Sequence, residues 1–191
     1  MASSSALAAG MRALEDLLST RLPERLRGGG IGARVQLLGS NDLKKKDQGS
    51  LVGLYVHRVV VDPTGRNQPR PGGPGAPSRP VLPLVARFLL ITWAAGAVAE
   101  LELHCWALAE LEGVQLGHGA IASLDPAFGD DEKLQVVVDE LTTEDLGRIW
   151  DMLPSKYSLS SALALRTVRV ERTVRETYPP VAVRALVTED A

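Results

Sequence analysis

Two stretches of this chain, residues 51–61 and 84–93, are apolar on both faces of an extended strand. In the first, Val52, Leu54, Val56 and Val60 alternate with Leu51, Tyr55, Val59 and Val61. The second interrupts its run of apolar residues on one face only, at Arg87. A strand apolar on one face can border water, whereas one apolar on both belongs inside a sheet with cover above and below. The fold is therefore layered, and the rest of the chain must supply the layers.

Three segments can do so. Leu7, Met11, Leu14 and Leu18 recur at helical spacing, with Arg12, Glu15 and Asp16 on the other side. Ser3, Ser4 and Ser5 offer caps, and Pro23 with the glycines from Gly28 ends the regularity. A second helix is expected after Gly96, with Val98, Leu101, Cys105 and Leu108 as its buried stripe and Glu100, Glu102 and Glu110 mostly outward, up to Gly113. The third has the clearest start. Thr142 is placed to cap the N–H of Asp145, Leu141 and Leu146 form a hydrophobic staple, and Glu144 and Asp145 favour the positive end of the helix dipole. Pro154 stops it.

Further strands are expected at 33–38, 133–139 and 159–171, and a short one can form at 181–187. This order predicts an α+β fold, a mostly antiparallel sheet flanked by about three helices. At 191 residues the chain suits one domain, 1–171, followed by a tail, 172–191. The loop 62–82 is long and dense in Pro, Gly and Arg, and a loop of that length in a compact domain needs a binding role or a partner.

Charge narrows the function classes. A formal net charge of −2 gives no electrostatic reason for nucleic acid or an anionic membrane as partner. Lys44, Lys45 and Lys46 sit between Asp42 and Asp47 and read as a solvated loop. One cysteine, Cys105, excludes an intrachain disulfide and reads as a small core residue. Residues 1–10 lack a basic leader, and no window approaches the ~20 apolar residues of a membrane span, so the expectation is a cytoplasmic protein.

No motif points to catalysis, a cofactor or a metal. Gly28–Gly32, reading GGGIG, follow a helix and precede a strand, with no lysine placed to help hold a phosphate; they read as a turn. Glu100 and His104 lie one helical turn apart, but no second ligand pair stands at zinc spacing, so they read as an exposed pair. Ser155, Ser158, Ser160 and Ser161 have no nucleophile elbow around them, and Asp130, Asp131 and Glu132 lack the glycine spacing of a calcium loop. A rival reading keeps a small-molecule site assembled from scattered residues: His57, Arg87 and Glu100.

Three stretches together resemble a known family. They are VHRVVVDPTGRNQPRP from Val56, LPLVARFLLITW from Leu82, and LTTEDLGRIWDMLPSKYSLSSALALRTVRVE from Leu141. Their order and spacing are similar to those of the cap, or tube-terminator, proteins of extracellular contractile injection systems, relatives of phage tail terminators. The resemblance covers nearly the whole chain and is weakest over 28–50 and after Arg172. Asn67, Trp93, Trp150, Leu153, Tyr157 and Ser160 match the family pattern. The resemblance implies a non-enzymatic ring, a homohexamer, seated on the inner tube protein and meeting the sheath protein, with no nucleic acid, membrane or cofactor. A neck or baseplate adaptor remains the alternative place. Trp93, Trp150, Leu153 and Tyr157 are expected to be core anchors. Arg66, Asn67, Gln68 and Arg70 are the candidate interface residues, because polar side chains on a long loop can reach a neighbour.

Overall fold

A computed structural model describes residues 5–28, 31–44, 49–63, 81–121 and 133–171. The two strands apolar on both faces become β2 (Leu51–Val61) and β3 (Val81–Trp93), antiparallel neighbours inside a six-stranded sheet, second and third from one edge. Outward from them lie β1 (Arg34–Leu38) beside β2, and β6 (Ser160–Glu171), β5 (Leu134–Val138) and β4 (Gln115–Leu116) beyond β3. The fold is α+β, as the pattern predicts. One pairing departs from the antiparallel rule: β1 runs parallel to β2.

Helices cover both faces. On one side α1 (Ala6–Arg21) and α3 (Ala97–Leu111) close a core with Val52, Leu54, Phe88, Leu90, Leu163 and Leu165 of the sheet. On the other, α5 (Thr143–Met152) seats Trp150 on Leu51, Leu89 and Ile91, helped by Leu43 from the 3-10 turn Asp42–Lys44. Leu89 and Leu90, adjacent on β3, are both fully buried but in opposite layers, as the two-sided strand requires. Two single-turn helices, α2 (Glu24–Arg27) and α4 (His118–Ile121), were not marked by periodicity; Leu26 and Ile121 tuck them into the first core.

The local signals at α5 hold in detail. The Thr142 hydroxyl accepts the Asp145 N–H at 3.1 Å and donates to its carboxylate at 2.7 Å. The α3 stripe, by contrast, is rotated. Leu103, His104, Ala107 and Leu111 face inward, while Val98 is 75% and Leu101 54% exposed and Cys105 lies at the surface. The helix carries apolar residues all round, so two stripes were available and the sheet chose the other one. Cys105 is thus a surface thiol rather than a core residue. Of the glycine cluster, Gly28 ends α2 and Gly32 holds a positive φ of 59°, both turn roles.

The two outermost strands are short or guarded. β4 spans two residues only. At the other flank, the Leu37 N–H points away from β2 and is accepted by the Glu15 carboxylate of α1 at 3.0 Å.

α1 crosses the sheet at Gly10, where a Cβ would stand 2.6 Å from Leu134 Cδ1 and 2.9 Å from Leu165 Cδ2. Gly10→Val is therefore expected to overpack the crossing and cost about 1–3 kcal/mol, read as a lower denaturant midpoint at unchanged m-value. An unchanged midpoint would contradict this close approach.

Candidate functional site

The turn from α5 into β6 gathers most of the described residues that match the family pattern. The Trp93 indole N–H donates to Ser158 Oγ at 2.9 Å, and the Trp150 indole N–H donates to Ser160 Oγ at 3.0 Å. Two long aromatic side chains on the α5 face of the sheet are thereby tied to one turn. Burial of an indole favours such a pairing, since its N–H would otherwise be orphaned. Trp150 is 3% exposed. Trp93 and Leu153 are half-buried and pack against the same cluster. Tyr157 is 64% exposed, so it is no core anchor: its ring stands edge-on to Trp150, with centroids 5.8 Å apart, and otherwise faces outward. Beside it opens a shallow cleft of about 360 Å³ between the last turn of α5 and Ser155–Tyr157, and Met152 nearby is 78% exposed. The buried Ser155 hydroxyl in this cleft has no hydrogen-bond partner.

A second polar cluster lies farther along the same face of the sheet. Register places Arg58 opposite Arg87 across β2 and β3, just after a bulge at His57. Like charges in that position repel, and Arg87 turns instead across β6, where Ala164 leaves room, to bring Nη1 3.3 Å from Asp139 Oδ2. His57 Nε2, Arg87 Nε and Asp139 Oδ2 are all buried and lack hydrogen-bond partners. Burial holds the His57 imidazole below the usual histidine range; Asp139 opposes that shift, and Arg87 and Arg58 reinforce it. The structure thus brings His57 and Arg87 together and adds Asp139, which no motif marked. Glu100 belongs to α3, in the layer on the opposite face of the sheet, so the scattered site His57, Arg87 and Glu100 does not assemble.

His104 is not an exposed partner of Glu100. It is 7% exposed, and its two ring nitrogens meet Thr92 Oγ1 at 3.2 Å and Ser161 Oγ at 2.8 Å. Hydroxyls can donate or accept, so a neutral ring is satisfied in either tautomer. Burial lowers its pKa. The serines noted as lacking a catalytic elbow therefore serve largely as hydrogen-bond partners inside the fold. Among the described residues no cluster of three His, Cys, Asp or Glu side chains could hold a metal, and no helix is long and apolar enough to cross a membrane. Arg66, Asn67, Gln68 and Arg70 lie outside the described residues, as does the tail 172–191.

The sequence profile of the Pvc16 N-terminal domain matches residues 11–184, nearly the whole chain. The chain belongs to the Pvc16 N-terminal domain family. Two solved structures are similar to this family member. One is the PVC sheath/tube terminator of an extracellular contractile injection system in its extended state, with TM-score 0.55 and 19% identity over 97% of this chain and 64% of that one. The other is the tube-terminating cap of the anti-feeding prophage, with TM-score 0.54 and 14% identity over 93% of this chain and 60% of that one. The chain therefore spans somewhat less than two thirds of either relative. Among curated proteins no sequence matches it.

Trp150→Ala is expected to cost about 3–5 kcal/mol, because it empties a buried site. Tyr157→Ala, in an exposed residue, is expected to cost less than about 1 kcal/mol; equal losses in chemical denaturation would overturn this division of roles. The two histidines also set a pH dependence. Both stay neutral in the fold below the ordinary value of 6.5, where the unfolded chain takes up protons. Stability is then full above about pH 6.5 and declines as the pH falls toward the lowered folded values. His104→Leu is expected to lower the melting temperature at pH 7, through the unpaired Thr92, yet to flatten its decline between pH 7 and pH 5. A decline as steep as in the parent would show that His104 does not contribute.

Proposed function

We propose that this chain is a structural cap: a ring that ends the inner tube and sheath of a contractile injection system and catalyses no reaction. The observation that carries this reading is the alignment of 97% of the chain with a sheath/tube terminator, supported by its family membership. A tube grows because each ring offers an upper surface complementary to the next ring's lower one, a contact that does not close on itself. A terminator needs one matching face and lacks the other. Such work calls for surfaces rather than a reactive pocket.

In this reading residues 1–171 are the cap domain and 172–191 a tail. The ring is a homohexamer, assembled in the bacterial cytoplasm, with the tube protein and the sheath protein as its neighbours. Arg66, Asn67, Gln68 and Arg70, in the segment joining β2 to β3, are proposed to reach one of them.

Microscopy of isolated particles gives the test. The labelled protein is expected at the single end opposite the baseplate, and deletion of its gene is expected to leave tubes of uneven length. Label at the baseplate, or particles of unchanged length with closed ends after deletion, would overturn the reading. Arg66→Glu with Arg70→Glu is expected to weaken capture by tube or sheath subunits at least tenfold while leaving the melting temperature unchanged; undiminished capture of both would remove these residues from the interface.

A further inference from the structure

The second half of β2 is the least supported part of the sheet. β1 pairs with β2 only as far as Tyr55, so among the described residues β2 rests on β3 alone from the bulge at His57 onward. The apolar cluster under α5 takes Leu51 and Tyr55 from β2 and Leu89 and Ile91 from β3, and nothing from residues 57–61. These five residues form an arm held along one edge, with Arg58, Val59 and Val61 exposed. Segments with so few buried contacts open at a lower free energy than the whole fold.

Charged groups gather at the root of this arm. His57, on the bulge, feels Asp139 after β5, Arg87 of β3 and Arg58 of its own strand. β6, which lies between Arg87 and Asp139, contributes uncharged Ala162 and Ala164 there. Tyr55, two residues back on the same face of β2, leads into the α5 cluster. One carboxylate thus answers two guanidinium groups, and the imidazole decides whether a third cation joins them. The cluster is poorly placed to absorb one. His57 Nε2, Arg87 Nε and Asp139 Oδ2 are already buried without hydrogen bonds, and Arg87 Nη1 lies 3.3 Å from Asp139 Oδ2.

We infer that His57, Arg87 and Asp139 form a proton-operated latch, which holds the arm on β3 near neutral pH and releases it in acid. With the ring neutral, Asp139 is left to Arg87, and Arg58 stays in water. Protonation sets three cations around one carboxylate. Burial disfavours the charged ring most; Asp139 favours it, and Arg87 and Arg58 oppose it. Opening the arm hydrates the ring and returns it toward the ordinary value of 6.5. Below that pH the open arm binds more protons than the closed one, so opening becomes easier as the pH falls. The arm feeds the segment joining β2 to β3, so acid release weakens the contact proposed for that segment. This last link rests on the cap reading above; the latch does not.

Amide hydrogen exchange on the full-length chain tests the latch. After correction for the intrinsic effect of pH, the bonded amides of residues 58–61 are expected to lose protection below pH 6.5, by up to about tenfold per pH unit, the signature of one proton. His57→Gln, polar but without a titrating ring, is expected to abolish that slope. Arg58→Gln removes an exposed cation beside the ring and is expected to leave a smaller total loss. Arm protection that is flat with pH, a slope that survives in His57→Gln, or loss that comes only together with Leu14 and Leu18 of α1 would overturn the latch. Capture by tube or sheath subunits is expected to weaken at least about threefold between pH 7.5 and pH 5.5 in the parent, and less in His57→Gln. An equal fall in both would overturn the latch's control of docking. No capture at either pH would overturn the cap reading and leave the exchange result to decide the latch.

Discussion

Everything in this molecule follows from β3 having no wet face. Leu89 and Ile91 point into one layer and Phe88 and Leu90 into the other, all four fully buried. Burial at roughly 25 cal/mol per Å² makes such residues the strongest single source of stability in the chain, and it is collected only when both layers are present. α1 and α3 must therefore close one side and α5 the other. The chain meets this demand by packing α1 to α4 on one face and α5 on the other, around a sheet in which β2 and β3 are antiparallel neighbours.

Polar groups in the layers are handled in two ways. Near α5 and α3, hydroxyls sit opposite ring nitrogens: Ser158 and Ser160 for the indoles of Trp93 and Trp150, Thr92 and Ser161 for His104. These are neutral pairs, which lose little on leaving water when satisfied. Near the bulge at His57 the solution is less complete. Arg87 and Asp139 attract each other, yet three buried polar atoms remain without hydrogen bonds. The indole pairs fix the turn after α5; the cluster at His57 leaves part of the same sheet face electrostatically unsettled.

The sequence announced what is local and periodic. The two-sided β3, the first half of β2, the α5 cap and the α+β layering could be read directly, because strand alternation and capping depend on neighbours a few residues away. The second half of β2 was expected to be covered on both faces as well, but β1 pairs with it only as far as Tyr55, and Arg58, Val59 and Val61 are exposed. What it hid depends on packing. α3 has apolar residues on both Val98–Leu101–Cys105 and Leu103–Ala107–Leu111, and only contact with the sheet decides which is inside. The parallel pairing of β1 leaves no local trace, nor does the burial of His104, which needs Thr92 and Ser161 from two different strands. Tyr157 matched a family pattern, but a match says that a residue belongs to a type, not that it is covered. Asp139 joined Arg87 only through a register spanning β6.

One small contact has a broader meaning. The carboxylate of Glu15 holds the outward amide of Leu37 on the flank of β1. A bare strand border is a template on which foreign extended chain can stack, and stacking of that kind ends in amyloid. With this amide occupied and a negative charge set across the approach, the border recruits stray strands poorly. An idle copy of the chain in a crowded solution is thereby less prone to clump along this border.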